Sequence, residues 1–221
     1  MCYYTDQTSS NKALENRFKA QAKYDESMAQ KGKISGFTRA ALPIITQAKP
    51  DQIQLIPWGL IPAWANTEQA RELPKNTLNA KSESIFEKPS FEPSILKQRC
   101  LVLVDGFYEW QHVSKNKIEY RVHLKSNGPF ALAGIYAIWH NPQTSMLEPS
   151  FSIITTPANE LMEEIHNTKK RMPLILSADQ ERDWLAPMST EKIKSFFKPF
   201  DSNRMQAQKV KNMGDQIQLF A

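Results

Sequence analysis

Cys2 stands directly after Met1, so removal of the initiator methionine would make it the first residue. It would then carry a free α-amine and a thiol on adjacent carbons. Their reference pKa values, near ~8 and ~8.5, leave both groups a reactive fraction at neutral pH. Such a 1,2-aminothiol condenses with an aldehyde to a Schiff base, which the sulfur closes into a five-membered thiazolidine. A cysteine at a flexible terminus can equally be incidental.

Three further polar residues bear on that choice. Glu109 follows Gly106-Phe107-Tyr108 and precedes Trp110. A carboxylate among aromatics is raised in pKa by desolvation, which suits proton transfer near neutrality; on an alternating strand it would instead face solvent. His166 closes a helical segment. It reads either as a C-terminal cap favoured by the helix dipole or as a proton shuttle. Asn79, between Leu78 and Ala80, reads as a turn or cap residue. Trp58 and Trp64, with Pro57 and Pro62, are core residues or a face on which unpaired bases stack for roughly 1–3 kcal/mol each.

The 221 residues suit a single domain, 1–221, with one large core. A formal charge of +5 and a pI near 9.1 favour a polyanionic partner, although the nearest basic run is only Lys169-Lys170-Arg171. Cys2 and Cys100 cannot build a disulfide framework, and Cys100 in RCLVLV reads as an inert buried thiol. His112, His123, His140 and His166 lack ligand spacing, so no metal and no cofactor is expected. No signal-peptide core or membrane-length apolar stretch is visible, which makes a reducing cytoplasmic setting without a membrane partner the expectation. That setting would keep Cys2 out of a disulfide.

The elements that must position these residues are read from period and punctuation. Residues 10–30 read as an amphipathic helix through Leu14, Phe18 and Ala22, ended by Gly36. A loop and short strand span 36–50, a strand covers 53–56, and WGLIPAW (58–64) is turn-rich. LNAKSESIF (78–86) is ambiguous by period. Strands follow at 99–110, changing character at Asp105-Gly106, and at 118–124, 130–139 and 151–156. Thr156 and Pro157 open a helix through about Ile165. Residues 172–176 return to strand. A Ser177/Gln180 capping box starts a helix through Leu185, and a last helix covers about 190–197. The class is α+β, with a largely antiparallel, barrel-like β core and flanking helices.

Met-Cys, WGLIPAW, LNAKSES, LVDGFYEW, ITTPAN and IHNTKKRMPLIL occur in an order that resembles the SOS response-associated peptidase (SRAP) family, from Cys2 to about residue 185. The resemblance implies a protein that recognises abasic sites in single-stranded DNA and traps the ring-opened sugar aldehyde as a thiazolidine cross-link. It implies autoproteolytic removal of Met1 and a cytoplasmic monomer, nucleoid-associated in a bacterium. Cys2 matches the nucleophile, and Asn79 the Asn that positions the cysteine amine and sugar. Glu109 matches the Glu that assists ring opening and proton transfer, and His166 the His that holds substrate and shuttles protons. Lys81 and Arg171 would bind flanking phosphates, beside an aromatic face from Trp58 and Trp64.

The sequence departs from the family pattern at three places. Met-Cys-Tyr-Tyr replaces Met-Cys-Gly-Arg, so Tyr4 stands where an arginine would contact DNA. Lys81 replaces an arginine, exchanging a bidentate fork for a point charge. Four residues, rather than one, separate His166 from Arg171. Two other activities fit the same residues: a cysteine-dependent peptidase acting in trans, and a non-covalent single-stranded DNA-binding module.

Overall fold

The computed structural model describes residues 2–210. In chain order its strands are β1 (Tyr4–Gln7), β2 (Gln21–Ala22), β3 (Gly32–Ser35), β4 (Ala41–Thr46), β5 (Lys49–Pro57), β6 (Asn79–Lys81) and β7 (Arg99–Val104). They continue with β8 (Gly106–Val113), β9 (Asn116–Leu124), β10 (Phe130–His140), β11 (Leu147–Pro157), β12 (Arg171–Pro173), β13 (Ile175–Leu176) and β14 (Met205–Lys209). The helices are α1 (Asn11–Phe18), α2 (Thr67–Glu72), α3 (Glu92–Lys97), α4 (Glu160–Ile165), α5 (Gln180–Leu185) and α6 (Thr190–Ser195).

Two sheets result. A five-stranded sheet runs β14-β9-β8-β1-β3, and a nine-stranded one runs β12-β11-β10-β7-β4-β5-β2, with β13 on β10 and β6 on β11. Pairing is antiparallel except for β2 with β5 and β6 with β11. The α+β class and antiparallel bias hold, and the sheets curl without closing into a barrel.

Strand period explains how the layers stack. Along β7, Cys100, Val102 and Val104 join one core with Ile44, Phe107, Val122 and Phe151, between the two sheets. The alternate residues Leu101 and Leu103 join a second core with Leu14, Phe18, Ile95, Trp184 and Ile193, beneath the helices. A strand covered on both faces reads as an unbroken apolar run, which is why RCLVLV shows no alternation. Cys100 is fully buried there, and burial pushes its thiol pKa up, as expected of an inert core cysteine.

Two helix expectations are corrected. The helix expected over 10–30 stops at Phe18, because Lys19 takes a left-handed C-cap (φ 54°) and the chain turns back as β2. Ser10 accepts from the Ala13 N–H as its N-cap. The helix expected from Pro157 begins at Glu160, with Asn159 as N-cap, because Thr156 and Pro157 are spent in register with Met172 and Arg171. Half of the Ser177 box forms: Gln180 Oε1 accepts from the Ser177 N–H at 3.1 Å.

The fully buried Arg99 fastens helices to the second core. Its guanidinium donates to the carbonyls of Trp184 (2.9 Å), Ile95 (3.0 Å), Leu96 (3.0 Å) and Ala186 (2.6 Å). These carbonyls belong to the ends of α3 and α5, where the dipoles and orphan C=O groups favour a cation. Arg99→Lys keeps the charge but loses the planar fork. Equilibrium urea unfolding is expected to show a loss of roughly 2–4 kcal/mol, because buried carbonyls are left unpaired. A loss within ±0.5 kcal/mol, the ordinary range of surface substitutions, would contradict this role.

Candidate functional site

The chain's first strand lies inside a sheet. Tyr4 pairs with Tyr108 on one side and Ser35 on the other, and Gly36 N–H donates to the Tyr3 carbonyl at 2.9 Å. Cys2 is thereby drawn under the sheet and is fully buried. Its carbonyl accepts from Asn79 Nδ2 at 2.9 Å. Asn79 is held by β6, which pairs in parallel with Ile153–Thr155, and by Trp58, whose indole N–H donates to the Leu78 carbonyl at 2.8 Å. The buried Asn79 Oδ1 has no hydrogen-bond partner among the described residues. Met1, whose removal is expected, lies outside the described residues.

Glu109 sits on β8 opposite Tyr120 and is almost fully buried. Burial raises its pKa to about 7, against the pull of the Trp110 N–H and the Lys169 ammonium. His166 caps the C-terminus of α4, and its Nδ1 lies 2.9 Å from the Arg171 carbonyl. A carbonyl only accepts, so Nδ1 carries the proton and Nε2 keeps its lone pair. Burial lowers the His166 pKa to about 4, and the charges of Lys169 and Arg171 act in the same direction. The imidazole is therefore neutral at pH 7. Its 3.8 Å separation from Glu109 Oε1 is neither an ion pair nor a hydrogen bond. Burial, reinforced by the Glu109 charge, pushes the Cys2 thiol pKa up.

A cleft of about 410 Å³ opens over Glu109 and His166, walled by Tyr3, Tyr4 and Trp110 and edged by Lys117 and Lys169. Its far lip is the turn after His166. Asn167 ties this turn to β8, accepting from the His112 N–H (3.1 Å) and donating to the His112 carbonyl (2.9 Å). The four residues between His166 and Arg171 are thus built onto the sheet.

Cys2, Asn79, Glu109 and His166 come together from four distant parts of the chain. The binding residues expected from sequence are placed differently. Trp58 is fully buried and stacks on Phe151, so it offers no face to a base. Its ring also fills the space that a Cβ on Gly36 would enter, at 2.9 Å. Trp64 is 49% exposed, but it does not line the cleft, and its N–H is bonded to the Pro89 carbonyl. The Arg171 guanidinium, expected to bind a flanking phosphate, is engaged by Glu83 (2.7 and 2.9 Å) and by the Thr155 carbonyl (2.7 Å). Lys81 is exposed on β6 and does not line the cleft. Sequence reasoning missed Trp110 and Lys117 as cleft residues. Trp110 stood beside Glu109 in the same motif, whereas Lys117 reaches the cleft only through the β8–β9 register that sets it against His112.

The SOS response-associated peptidase (SRAP) family model matches residues 1–214. The abasic site processing protein YoqW of Bacillus subtilis is 39% identical over 175 residues, covering 78% of this chain and 75% of that one. The abasic site processing protein HMCES of Xenopus tropicalis is 33% identical over 147 residues, covering 58% and 43%. A crystal structure of a protein from Bacteroides thetaiotaomicron superposes with a TM-score of 0.91 at 39% identity, covering 96% of this chain and 93% of that one.

The two buried titrating groups impose opposite pH dependence on stability. Glu109, raised from 4.5 to about 7, withdraws stability as pH climbs through that window. His166, lowered from 6.5 to about 4, withdraws it as pH falls through its own window. The two slopes oppose each other between pH 4.5 and 6.5. Glu109→Gln removes the first, so its unfolding free energy is expected to rise with pH across that interval. Relative to wild type it should gain roughly 3 kcal/mol by pH 7. Urea titrations across pH test this, and a variant curve parallel to that of wild type would refute it.

Proposed function

Because the chain belongs to the SOS response-associated peptidase family, we propose that it processes abasic sites in single-stranded DNA by covalent capture. In this reading Cys2, freed of Met1, is the reacting residue. The observation that carries it is the Asn79 bond to Cys2, near a buried carboxyl, Glu109, whose pKa lies near 7 and which lines a cleft edged by lysines.

The amine acts first. Burial favours the protonated thiol, so the sulfur is a poor initial nucleophile, whereas an α-amine has a substantial neutral fraction near pH 8. The amine adds to the C1′ aldehyde of the opened deoxyribose, giving a carbinolamine. Protonation of its hydroxyl by Glu109 expels water and forms the C=N bond. The sulfur then attacks the carbon of this iminium while the thiol proton returns to the Glu109 carboxylate, and the ring nitrogen keeps the one hydrogen it already carries. One water leaves per thiazolidine formed, and Glu109 ends in the state in which it began. A carboxyl half-ionised near neutrality both donates and accepts without a large driving force against it. Asn79 Oδ1 is an acceptor for the amine N–H, and the Nε2 lone pair of neutral His166 is an acceptor for a sugar hydroxyl.

A peptidase acting in trans requires an activated thiolate and a base to make it. Here the thiol pKa is raised, and the His166 pKa is too low for it to hold a proton at neutral pH. These electrostatics favour amine chemistry. A purely non-covalent module would assign no role to the Asn79–Cys2 bond.

The test uses protein whose Met-free terminus is verified by mass spectrometry, and an oligonucleotide carrying one abasic site, resolved on a denaturing gel. Wild type is expected to give a shifted band that Cys2→Ala abolishes and that an intact oligonucleotide does not produce. Cys2→Ser should give only a link that heat reverses. Glu109→Gln should slow cross-linking by roughly 10²–10⁴-fold, the usual contribution of a positioned acid–base group, while native-gel binding of the oligonucleotide persists. No band with verified protein would defeat the covalent reading.

A further inference from the structure

Tyr4 and Trp110 meet in the cleft wall with ring centroids 5.1 Å apart and planes at 67°, an edge-to-face corner. Lys33 braces it. Its ammonium lies 4.9 Å from the Tyr4 centroid, 4.9 Å from that of Trp110 and 5.1 Å from that of Tyr108, and it is ion-paired with Glu119. Lys33 does not line the cleft, so it fixes the rings without occupying the cleft space they face. The corner is continuous with the space over Glu109 and His166, and Lys117 and Lys169 supply cations at the rim.

We infer that the Tyr4–Trp110 corner is a stacking subsite for the nucleobase next to the captured abasic sugar. This rests on the capture reading. A flat base can lie against one ring and present its edge to the other. Base–aromatic stacking tolerates any base, because every base has a π-face. A braced corner is ordered before the ligand arrives, so little side-chain freedom remains to be lost on binding. Lys117 and Lys169 then meet the backbone phosphates on either side of that base. In this chain, recognition close to the lesion therefore depends on a neighbouring base as well as on phosphate charge, and Tyr4 is the residue that confers it.

The experiment measures non-covalent affinity by fluorescence anisotropy in a Cys2→Ala background, so that chemistry does not contribute. Three oligonucleotides each carry one abasic site. In the first, both neighbouring nucleotides bear bases; in the others, the 5′ or the 3′ neighbour is a tetrahydrofuran spacer with neither base nor aldehyde. Replacing the neighbour that occupies the corner is expected to weaken binding at least about fivefold. Added Tyr4→Leu should bring that ratio close to one, and Tyr4→Phe should preserve it. A ratio near one for both neighbours with Tyr4 intact would overturn the subsite, as would a ratio unchanged by Tyr4→Leu. Circular dichroism and thermal melts establish that each variant is folded; if Tyr4→Leu is not, Tyr4→Arg serves the same comparison. Absence of a cross-link in wild type would defeat capture, yet the affinity ratio would still report stacking, so the two failures are distinguishable.

Discussion

A hydrogen bond from the Asn79 side-chain amide to the carbonyl of Cys2 joins the beginning of the chain to a strand of the opposite sheet. A terminus is ordinarily the least constrained part of a domain. Here β1 is paired on both edges, so the residues that follow Cys2 have little freedom to move. Asn79 can reach Cys2 because β6 is pinned to β11, and because the buried Trp58 holds the Leu78 carbonyl just before it. The packing of Trp58 in turn requires a glycine at 36, on the loop that receives the backbone of Tyr3. The position of Cys2 is therefore set by contacts reaching through both sheets.

The same burial that orders the site also tunes its chemistry. Glu109, His166 and Cys2 are shifted mainly by desolvation, and each moves toward its neutral form. A low-dielectric pocket that disfavours every charge leaves a carboxyl able to exchange a proton near pH 7. It leaves an imidazole that can accept a hydrogen bond and a thiol that keeps its proton. The Arg171 carbonyl fixes which imidazole nitrogen is protonated, while the Arg171 side chain is held by Glu83 and Thr155. Arg171 thus positions His166, and through Glu83 it ties the segment after Asn79 to the turn after α4.

Much of this was legible in the sequence where local chemistry decides the outcome. The break at Asp105-Gly106 and the burial of Cys100 follow from nearest neighbours and period. Gly106 had a packing reason as well, since a Cβ there would meet the Val122 carbonyl at 2.9 Å. Motif order singled out the four residues that gather beside the cleft, and Glu109's aromatic surroundings pointed to its raised pKa. Long-range partners were hidden. Nothing near Arg171 announces Glu83, and nothing near Trp58 announces Leu78, so a cation and an aromatic expected to serve a ligand serve the fold. The Pro157 error has the same origin: a good helix-start signal is overridden when β11 and β12 compete for the same residues.

The charges around the cleft are distributed unevenly. Tyr4 gives the wall of the cleft an aromatic ring, and the pairing of Arg171 with Glu83 largely neutralises that cation. The turn of four residues after His166 contributes Lys169 to the rim, and the β8–β9 hairpin contributes Lys117. A cation on an unanchored insertion would lose most of its value to side-chain and backbone entropy. Asn167 limits that loss by bonding both backbone groups of His112. In this chain the cleft carries Lys117 and Lys169 on its lip and aromatic rings on its wall. Under the proposed function, charge on the lip would hold a strand by its phosphates while the aromatic wall meets its bases.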